Sequence, residues 1–212
     1  MGLRSIGDMQ NRNFNDIIKQ KKDYEYLQHI GEPIPKSKLI GKRSFDIIFG
    51  LVGFVISIPL ILVFGLIIKA TSPGPVLFKQ ERVGYFGNNF YLIKLRSMRN
   101  DAESKTGAVW AQKNDSRVTP VGRLMRKTRI DELPQFWNVL VGDMSLIGPR
   151  PERPELTEKF YQKWPEFPQR LRITPGITGY AQVNGGYDIS PGKKCHLDNY
   201  YIKNYSFLFD IK

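Results

Sequence analysis

The sequence predicts a mainly α-helical protein with a small β element, attached to a membrane by one apolar helix. Residues 47–68 are 22 positions without a charged side chain, and a helix of about 20 apolar residues matches the hydrocarbon core of a bilayer. Two short runs, residues 76–78 and 90–95, have the composition of strands. Most segments beyond residue 120 instead carry helical patterns.

Composition limits the class of protein further. Hydrophobic residues make up 41% and charged residues 25% of the chain, which excludes wholesale disorder. The net charge of +12 indicates polyanionic partners: nucleic acid, anionic lipid headgroups or phosphorylated substrates. The single cysteine, Cys195, excludes an intramolecular disulfide and a cysteine-rich zinc site.

The flanks of the apolar segment bear on its orientation. Basic residues stand on both sides: Lys36, Lys38, Lys42 and Arg43 before it, and Lys69, Lys79, Arg82, Lys94, Arg96 and Arg99 after it. Positive charge marks the cytoplasmic side of a membrane segment. Because both flanks are basic, this rule does not orient a simple span. Pro59 favours a kink, and the nearby Ser57 hydroxyl could satisfy a freed carbonyl. A re-entrant helix and a span both remain open, and a buried helix of a soluble core is the alternative to a membrane segment.

Other segments complete the element prediction. Residues 16–29 could form a short helix, and residues 100–119 are predicted as loop with some helix. Helices are predicted at residues 121–129, from Asp131 onward and at residues 154–163, followed by a Gly-rich loop at residues 175–192. The aromatic side chains of the helix at 154–163 suit either a membrane interface or an ordinary core-facing surface.

The densest chemical cluster is the run RKTRIDELPQ at residues 126–135. Asp131 stands where a helix N-cap would, and Pro134 falls in the first turn. The helix dipole and three upstream cations favour the ionised forms of Asp131 and Glu132. An ionised Asp can attack an electrophile or hold a divalent cation, whereas the structural alternative is a plain helix cap with Glu132 on the surface.

Two further basic sites suit phosphate. Arg150 lies between Pro149 and Pro151, and the stiffened backbone would present its guanidinium as a two-point fork, or would simply form a structural turn. Lys94 and Arg96 are two residues apart, so on a strand they share one face, where they could bind a diphosphate or form a solvated edge.

Eight short motifs occur in a fixed order along the chain. They are PVLFKQERVG (75–84), KLRSM (94–98), DELPQ (131–135), NVL (138–140), GDMS (142–145), GPRP (148–151), PGITG (175–179) and AQVNG (181–185). This set resembles the bacterial sugar transferases, the monotopic phosphoglycosyl transferases, from about residue 42 to residue 212.

The resemblance implies a reaction and a place. Such enzymes transfer a sugar 1-phosphate from a UDP-sugar to undecaprenyl phosphate, with UMP as the second product and Mg²⁺ as cofactor. They start bacterial glycan assembly, for example of capsule, exopolysaccharide, O-antigen or glycoprotein, on the cytoplasmic face of the inner membrane. The implied domains are a polar extension (1–40), a re-entrant membrane helix (41–70) and a cytoplasmic catalytic domain (71–212). The family breaks its helix at a Ser-Pro pair, whereas here Ile58 precedes Pro59 and the serine is Ser57.

The resemblance also implies residue roles. Asp131 would be the nucleophile that holds the phosphosugar covalently, and Glu132 its catalytic partner in metal support or proton transfer; both are candidate Mg²⁺ ligands. The substrate-binding candidates are Lys94, Arg96, Arg126, Arg150, Gln182 and Asn184. The first four would contact phosphate, and the last two lie in a loop that could select the sugar.

Two other functions compete with the enzyme. The charge of +12 would suit a nucleic-acid-binding protein, but no recognisable reading module is present and the apolar segment has no use there. A membrane-anchored scaffold would use basic surfaces, but would not need a paired carboxylate or an Arg between prolines. We therefore expect lipid and nucleotide-sugar partners and no nucleic acid.

Overall fold

The computed structural model describes residues 24–102, 115–186 and 189–211. Within these ranges the protein is mainly helical with two small sheets, as predicted. The helices are α1 (Lys36–Thr71), α2 (Pro120–Thr128), α3 (Gln135–Val141), α4 (Pro154–Lys163), α5 (Tyr180–Gly185), α6 (Pro191–Lys203) and α7 (Phe207–Ile211). Short 3-10 helices lie at Glu25–His29, Tyr85–Gly87, Ile130–Glu132 and Phe167–Arg172.

Each sheet has two strands. Strands β1 (Leu77–Val83) and β2 (Asn89–Leu95) pair antiparallel, with Leu77 opposite Leu95. Strands β3 (Ser145–Ile147) and β4 (Gly176–Thr178) pair parallel. Lys94 lies on β2, the second strand of this hairpin, and its side chain faces the elements that pack against the hairpin.

Helix α1 holds the apolar segment and is embedded in the rest of the protein at its first turns. The Lys42 ammonium donates to the Ile147 carbonyl at 2.5 Å and to Asp210 Oδ2 at 2.8 Å. The Arg43 guanidinium donates to the carbonyls of Val139 and Leu140 at 2.7 and 2.8 Å. Two of the basic residues that precede the apolar segment are therefore buried structural groups rather than a solvated flank.

The far end of α1 packs on the same body. Ile68 is buried against Leu95 and Met125. The Arg96 guanidinium donates to the Ser72 carbonyl at 2.8 Å and to the Pro73 carbonyl, directly after the helix ends. Both ends of the apolar helix thus contact a single folded unit.

A small-residue face allows α1 to approach that unit closely along its length. A Cβ on Gly53 would meet the Phe136 ring at 2.5 Å, so a larger residue here would force the ring or the helix to shift. Large apolar side chains on the remaining surface stay exposed, among them Ile47, Phe49, Leu51, Val55, Ile56, Leu62 and Leu66. Of the described residues, one stretch is long and apolar enough to cross a membrane, Ser37–Thr71.

Pro59 lies inside α1, and the described helix continues through it. The Ser57 hydroxyl donates to the Phe54 carbonyl at 2.8 Å. The carbonyl that Pro59 leaves without its helical donor is that of Val55, four residues earlier. Ser57 therefore bonds the carbonyl next to the freed one. The prediction that the Ser57 hydroxyl satisfies the freed carbonyl is wrong.

Other element predictions are confirmed or corrected. The helix at 154–163 has the predicted bounds, and its Phe160 packs with Phe167 and Cys195, so this face turns to the core rather than to a membrane interface. The loop predicted at residues 175–192 is wrong, because it contains β4, α5 and the start of α6. Its glycines serve close packing: a Cβ on Gly176 or Gly179 would overlap the backbone of Gly148.

The described part of the N-terminal extension packs on the segment that follows the apolar helix. Tyr26, Leu27 and Ile30 are buried against Val83 and Phe86. Of the helix predicted at residues 16–29, positions 16–23 lie outside the described residues, and a 3-10 helix occupies Glu25–His29. Most of the segment predicted at residues 100–119, positions 103–114, lies outside them as well.

Candidate active site

The two candidate catalytic carboxylates lie in a tight turn between α2 and α3. Arg129 closes α2 with a left-handed conformation, φ 61°, and the 3-10 helix Ile130–Glu132 follows it directly. Helix α3 begins only at Gln135, with Pro134 as its N-cap. The expectation that Asp131 caps this helix is therefore wrong, because the left-handed residue redirects the chain into a 3-10 turn first.

Glu132 is buried and surrounded by cations. Its Oε1 accepts from the Arg150 guanidinium at 2.6 Å and from the Lys94 ammonium at 3.2 Å, and its Oε2 accepts from Arg150 at 3.1 Å. Arg129 lies 3.5 Å from Oε1. Burial alone would raise the pKa of Glu132, but the charges and hydrogen bonds of Lys94 and Arg150 outweigh it and hold that pKa well below its usual range.

Asp131 has the opposite environment. It is 5% exposed, and its Oδ1 is enclosed without a hydrogen-bond partner among the described residues. Burial raises the pKa of Asp131, the nearby Lys94 charge opposes this, and the Glu132 charge adds to it. The expectation that both carboxylates are driven towards the ionised form thus holds for Glu132 and is wrong in direction for Asp131. Two neighbouring carboxylates with pKa values pushed apart are typical of catalytic sites.

The backbone that carries Arg150 is fixed by hydrogen bonds from three elements. The Arg170 guanidinium donates to the Arg150 carbonyl at 2.7 Å, and Arg82 donates to the Pro151 carbonyl at 2.9 Å. The Gly176 amide donates to the Pro149 carbonyl at 3.0 Å. The predicted stiffening by two prolines is therefore reinforced by tertiary contacts, and the fork is held against Glu132.

A buried ionic network supports this backbone from behind. Lys194 and Glu152 form a buried ion pair, and Arg170 lies 4.0 Å from the same carboxylate oxygen. Arg170 also bonds Asp198 Oδ2 through two nitrogens, at 3.0 and 2.7 Å. Because Arg170 also reaches the Arg150 carbonyl, the network links helix α6 to the Arg150 segment.

The other basic candidates differ in their placement. Lys94 contacts Glu132, and burial together with the charge of Arg150 lowers the pKa of Lys94 to about 8. The Arg126 Nε donates to the Ser97 hydroxyl at 2.8 Å. Arg96 is buried, and its guanidinium bonds the backbone at the end of α1 rather than turning to the carboxylates. The structure thus brings Lys94 and Arg150 together, whereas Arg96 serves the junction with the apolar helix.

The two candidates for sugar contact lie on α5. The Gln182 amide donates to the Ile177 carbonyl at 3.0 Å, and its Oε1 is enclosed without a partner among the described residues. Asn184 is exposed and donates to the Tyr180 carbonyl at 2.9 Å. Gln182 therefore keeps a spare acceptor.

Sequence reasoning missed two contributors to this site. Arg129 reaches Glu132, and Arg82 supports the Arg150 segment. Arg129 lies in the RKTRIDELPQ run and Arg82 in the PVLFKQERVG run, so the signal in each case was a further cation in a motif that already carried candidate residues.

The side chains of this site suit a Mg²⁺ ion held by one protein carboxylate. In the described ranges no group of three or more His, Cys, Asp or Glu side chains could hold a metal ion. Mg²⁺ commonly binds through one or two carboxylates together with substrate phosphates. Within the described ranges Asp131 has an oxygen without a partner for such a role, while both oxygens of Glu132 already accept from cations.

Comparison with known proteins shows the family of this chain. A family model described as bacterial sugar transferase matches residues 37–212. A Bacillus subtilis (strain 168) protein, provisionally named undecaprenyl-phosphate N-acetylgalactosaminyl 1-phosphate transferase, is 60% identical over 130 residues, covering 61% of this chain and 72% of that protein.

More distant relatives align over most of this chain. An Aeromonas hydrophila UDP-N-acetylgalactosamine-undecaprenyl-phosphate N-acetylgalactosaminephosphotransferase is 46% identical over 80% of this chain and 41% of its own length. An Escherichia coli (strain K12) UDP-glucose:undecaprenyl-phosphate glucose-1-phosphate transferase is 39% identical over 81% of this chain and 38% of its own length. The chain spans less than half of these two relatives. With the family model matched over nearly the whole described chain, the protein belongs to the bacterial sugar transferase family.

Proposed function

We propose that this protein transfers a sugar 1-phosphate from a UDP-sugar to undecaprenyl phosphate, giving undecaprenyl diphosphate sugar and UMP. The observation that carries the proposal is a buried carboxylate, Asp131, whose Oδ1 has no hydrogen-bond partner among the described residues, next in sequence to a preformed cationic cluster around Glu132. Such a cluster suits a diphosphate, and the relatives' names describe transfer of sugar phosphates to this lipid.

The proposed chemistry has two steps on one phosphorus atom. An Asp131 oxygen attacks the sugar-bearing phosphorus, the bond from that phosphorus to the bridging oxygen breaks, and UMP leaves with that oxygen. A phosphate oxygen of the lipid then attacks the same phosphorus and releases the Asp131 carboxylate. Splitting a transfer between two anions in this way avoids bringing both substrates together in one step.

The cations have a separate task. Lys94 and Arg150, already 3.2 and 2.6 Å from Glu132, would share their donors with substrate phosphate oxygens, and Arg126 would approach from α2. Glu132 holds these cations in position when no substrate is bound. Mg²⁺ bound by Asp131 and the diphosphate would neutralise charge on the leaving group. We therefore assign Glu132 to ordering the cations rather than to the metal.

We propose that residues 41–70 enter and leave the membrane by one face, with the catalytic unit, residues 71–212, on the cytoplasmic side of the inner membrane. A spanning helix would separate its ends by a hydrocarbon layer about 30 Å thick. Here Arg43 bonds Val139 near one end, and Ser72 accepts from Arg96 at the other. Contacts of both ends with one folded unit support re-entry, with Pro59 as the point of bending.

Other exposed apolar side chains suggest where the catalytic unit meets the membrane surface. Leu124 on the basic helix α2 is 53% exposed, and Leu208 and Ile211 on α7 are 77% and 60% exposed. Apolar side chains beside Lys and Arg are typical of interfacial helices. Helix α2 has this pattern, because Arg123, Arg126 and Lys127 share the helix with Leu124, whereas α7 has no Lys or Arg. We propose α2, rather than α4, as the interfacial element.

The donor is proposed to be UDP-N-acetylgalactosamine. Two relatives, at 60% and 46% identity, are named for that sugar, whereas a relative at 39% is named for glucose. The test is a panel of UDP-sugars with undecaprenyl phosphate and Mg²⁺, scored for UMP release by the purified full chain in detergent. UMP from none of the donors would reject the function, and UMP from a different donor would correct only the sugar.

A further inference from the structure

Residues 24–32 of the N-terminal extension lie outside the part of the chain that the family model matches, residues 37–212. They are nevertheless packed on the residues that follow the apolar helix. Tyr26 and Leu27 are 1% and 3% exposed, and both belong to one apolar cluster with Val83 and Leu171. Burial of two side chains of this size stabilises the docked position, so the segment is part of the structure that it covers.

Polar contacts fix the same segment. The Gln169 amide donates to the His29 carbonyl at 2.7 Å, and Arg172 Nε donates to the Glu32 carbonyl at 2.5 Å. Both donors belong to one 3-10 helix, which also contains Arg170. The extension therefore contacts this helix on either side of Arg170.

The elements under the extension are those that hold the backbone at Arg150. The three consecutive carbonyls of residues 150–152 each accept a hydrogen bond. Their donors are, in order, the Arg170 guanidinium at 2.7 Å, the Arg82 guanidinium at 2.9 Å and the Val83 amide at 2.8 Å. Val83 is itself a member of the apolar cluster, and Arg82 and Arg170 each stand next in sequence to a member.

We propose that residues 24–32 are a positioning segment for Arg150, an assignment that rests on the proposed function. By covering Val83 and Leu171, the segment holds the two guanidinium donors next to them against the backbone of residues 150–152. It thereby fixes the direction in which the Arg150 fork meets phosphate. The segment acts through Arg150 and does not touch the substrate. A misplacement of about 1 Å that originates far from the chemistry can cost about 100-fold in rate, so packing at this distance can govern activity.

The test compares two buried leucines in the full chain. Leu27→Ala opens a cavity between the extension and Val83, whereas Leu39→Ala opens one in a different cluster, against Tyr201 and Ile202. Both variants should melt at a lower temperature than the wild type. Well below both melting temperatures, we expect kcat/KM for the two-substrate reaction to fall by about 3-fold to 30-fold in Leu27→Ala and to stay within about 2-fold in Leu39→Ala. If Leu27→Ala does not fold, Leu27→Val and Leu39→Val make the same comparison with a smaller cavity.

A double variant asks whether the effect passes through Arg150. In an Arg150→Lys background the planar fork is already lost, so adding Leu27→Ala should change kcat/KM by less than about 2-fold. Equal losses in the two leucine variants would overturn the positioning role. A full further loss in the double variant would overturn it as well.

Amide exchange tests the same link without catalysis. The Val83 amide is bonded to the Glu152 carbonyl, so a loosened extension should speed deuterium exchange at Val83 in Leu27→Ala but not in Leu39→Ala. Mass spectrometry of the peptide that contains Val83 measures the exchange. If the wild type releases no UMP with any donor, the proposed function fails on its own and the exchange decides alone. Faster exchange in Leu27→Ala then supports the segment as the support of the Arg150 backbone, and unchanged exchange overturns it.

Discussion

Arg150 and Glu132 form a two-point ion pair, with guanidinium nitrogens 2.6 Å from Oε1 and 3.1 Å from Oε2. The two residues are 18 positions apart and meet because the Arg150 carbonyl and the flanking proline carbonyls are held by Arg170, Arg82 and β4. The planar fork is therefore assembled before a phosphate arrives. In the proposed reaction, the carboxylate of Glu132 occupies donors that a substrate phosphate would share.

Replacing Arg150 with lysine should remove most activity although the charge stays. A lysine offers a point charge in place of a planar two-point donor, so the geometry of the pair is lost. We expect kcat/KM for the two-substrate reaction to fall by roughly 10-fold to 100-fold, the value of one or two charge-assisted hydrogen bonds. Rates equal to the wild type would return Arg150 to a purely structural role.

The two neighbouring carboxylates should differ in their effect on stability. Glu132→Gln leaves Lys94 and Arg150 without their buried counter-charge, and we expect a loss of about 1–3 kcal/mol in the free energy of unfolding. Asp131→Asn should keep or raise stability, because burial disfavours the charged form of Asp131 and raises its pKa. Chemical denaturation of both variants at pH 7 measures the difference, and equal losses would contradict it.

Much of the fold could be predicted from local patterns. The β1–β2 hairpin and helix α4 follow from residue composition and periodicity, because each is stabilised by contacts within itself and one apolar face. The glycines of residues 175–192 were misleading for a physical reason. Gly176 and Gly179 allow close contact with Gly148, which is a tertiary requirement, and such glycines look the same in a sequence as those of a loop.

The sequence named candidate site residues but could not give the contacts between them. The DELPQ and GPRP runs named the carboxylates and the fork, yet the sequence could not tell that Arg96 bonds the end of α1 while Lys94 bonds Glu132. Lys94 lies on β2, whereas Arg96 follows the end of that strand, and their side chains reach a carboxylate and backbone carbonyls respectively. The raised pKa of Asp131 could not be predicted either, because the effect of burial outweighs that of the nearby cations only in the folded chain.

Topology is open to a labelling experiment. Single cysteines placed at Ser37 and Lys79 in a Cys195→Ala background should both resist an impermeant thiol reagent added outside intact spheroplasts, because a re-entrant helix keeps both positions in the cytoplasm. Labelling after permeabilisation is the control for accessibility. Protection of only one position would mean that α1 spans the membrane.

The buried network behind Arg150 should show a pH signature. Burial opposes ionisation of Glu152, but the charges of Lys194, Arg170 and Arg82 outweigh it and lower the pKa of Glu152. Glu152→Gln leaves Lys194 unpaired, so at pH 7 we expect a loss of about 3–5 kcal/mol in stability.

The sign of the pH effect follows from linkage. A carboxylate with a depressed folded-state pKa stabilises the protein above its unfolded pKa and loses that contribution as the pH falls through the folded value. The stability difference between wild type and Glu152→Gln should therefore be full at pH 6–7 and shrink below about pH 4. Denaturation curves at a series of pH values check this, and a difference that grows in acid would contradict the assignment.

The last prediction separates covalent catalysis from simple metal holding at Asp131. If Asp131 is the nucleophile, UDP-sugar without lipid should give one equivalent of UMP and a protein-bound phosphosugar, and the two-substrate kinetics should be ping-pong. Asp131→Asn is nearly isosteric and relieves a buried charge, so the protein should fold, but an amide is too weak a nucleophile and lipid-independent UMP should vanish. Intact-protein mass spectrometry detects the bound phosphosugar directly.

Suppose instead that Asp131 only positions Mg²⁺ while the lipid phosphate attacks the donor. UMP would then never appear without lipid, and initial rates would follow a ternary-complex pattern. That result would leave the proposed substrates standing and would reject the covalent step on Asp131.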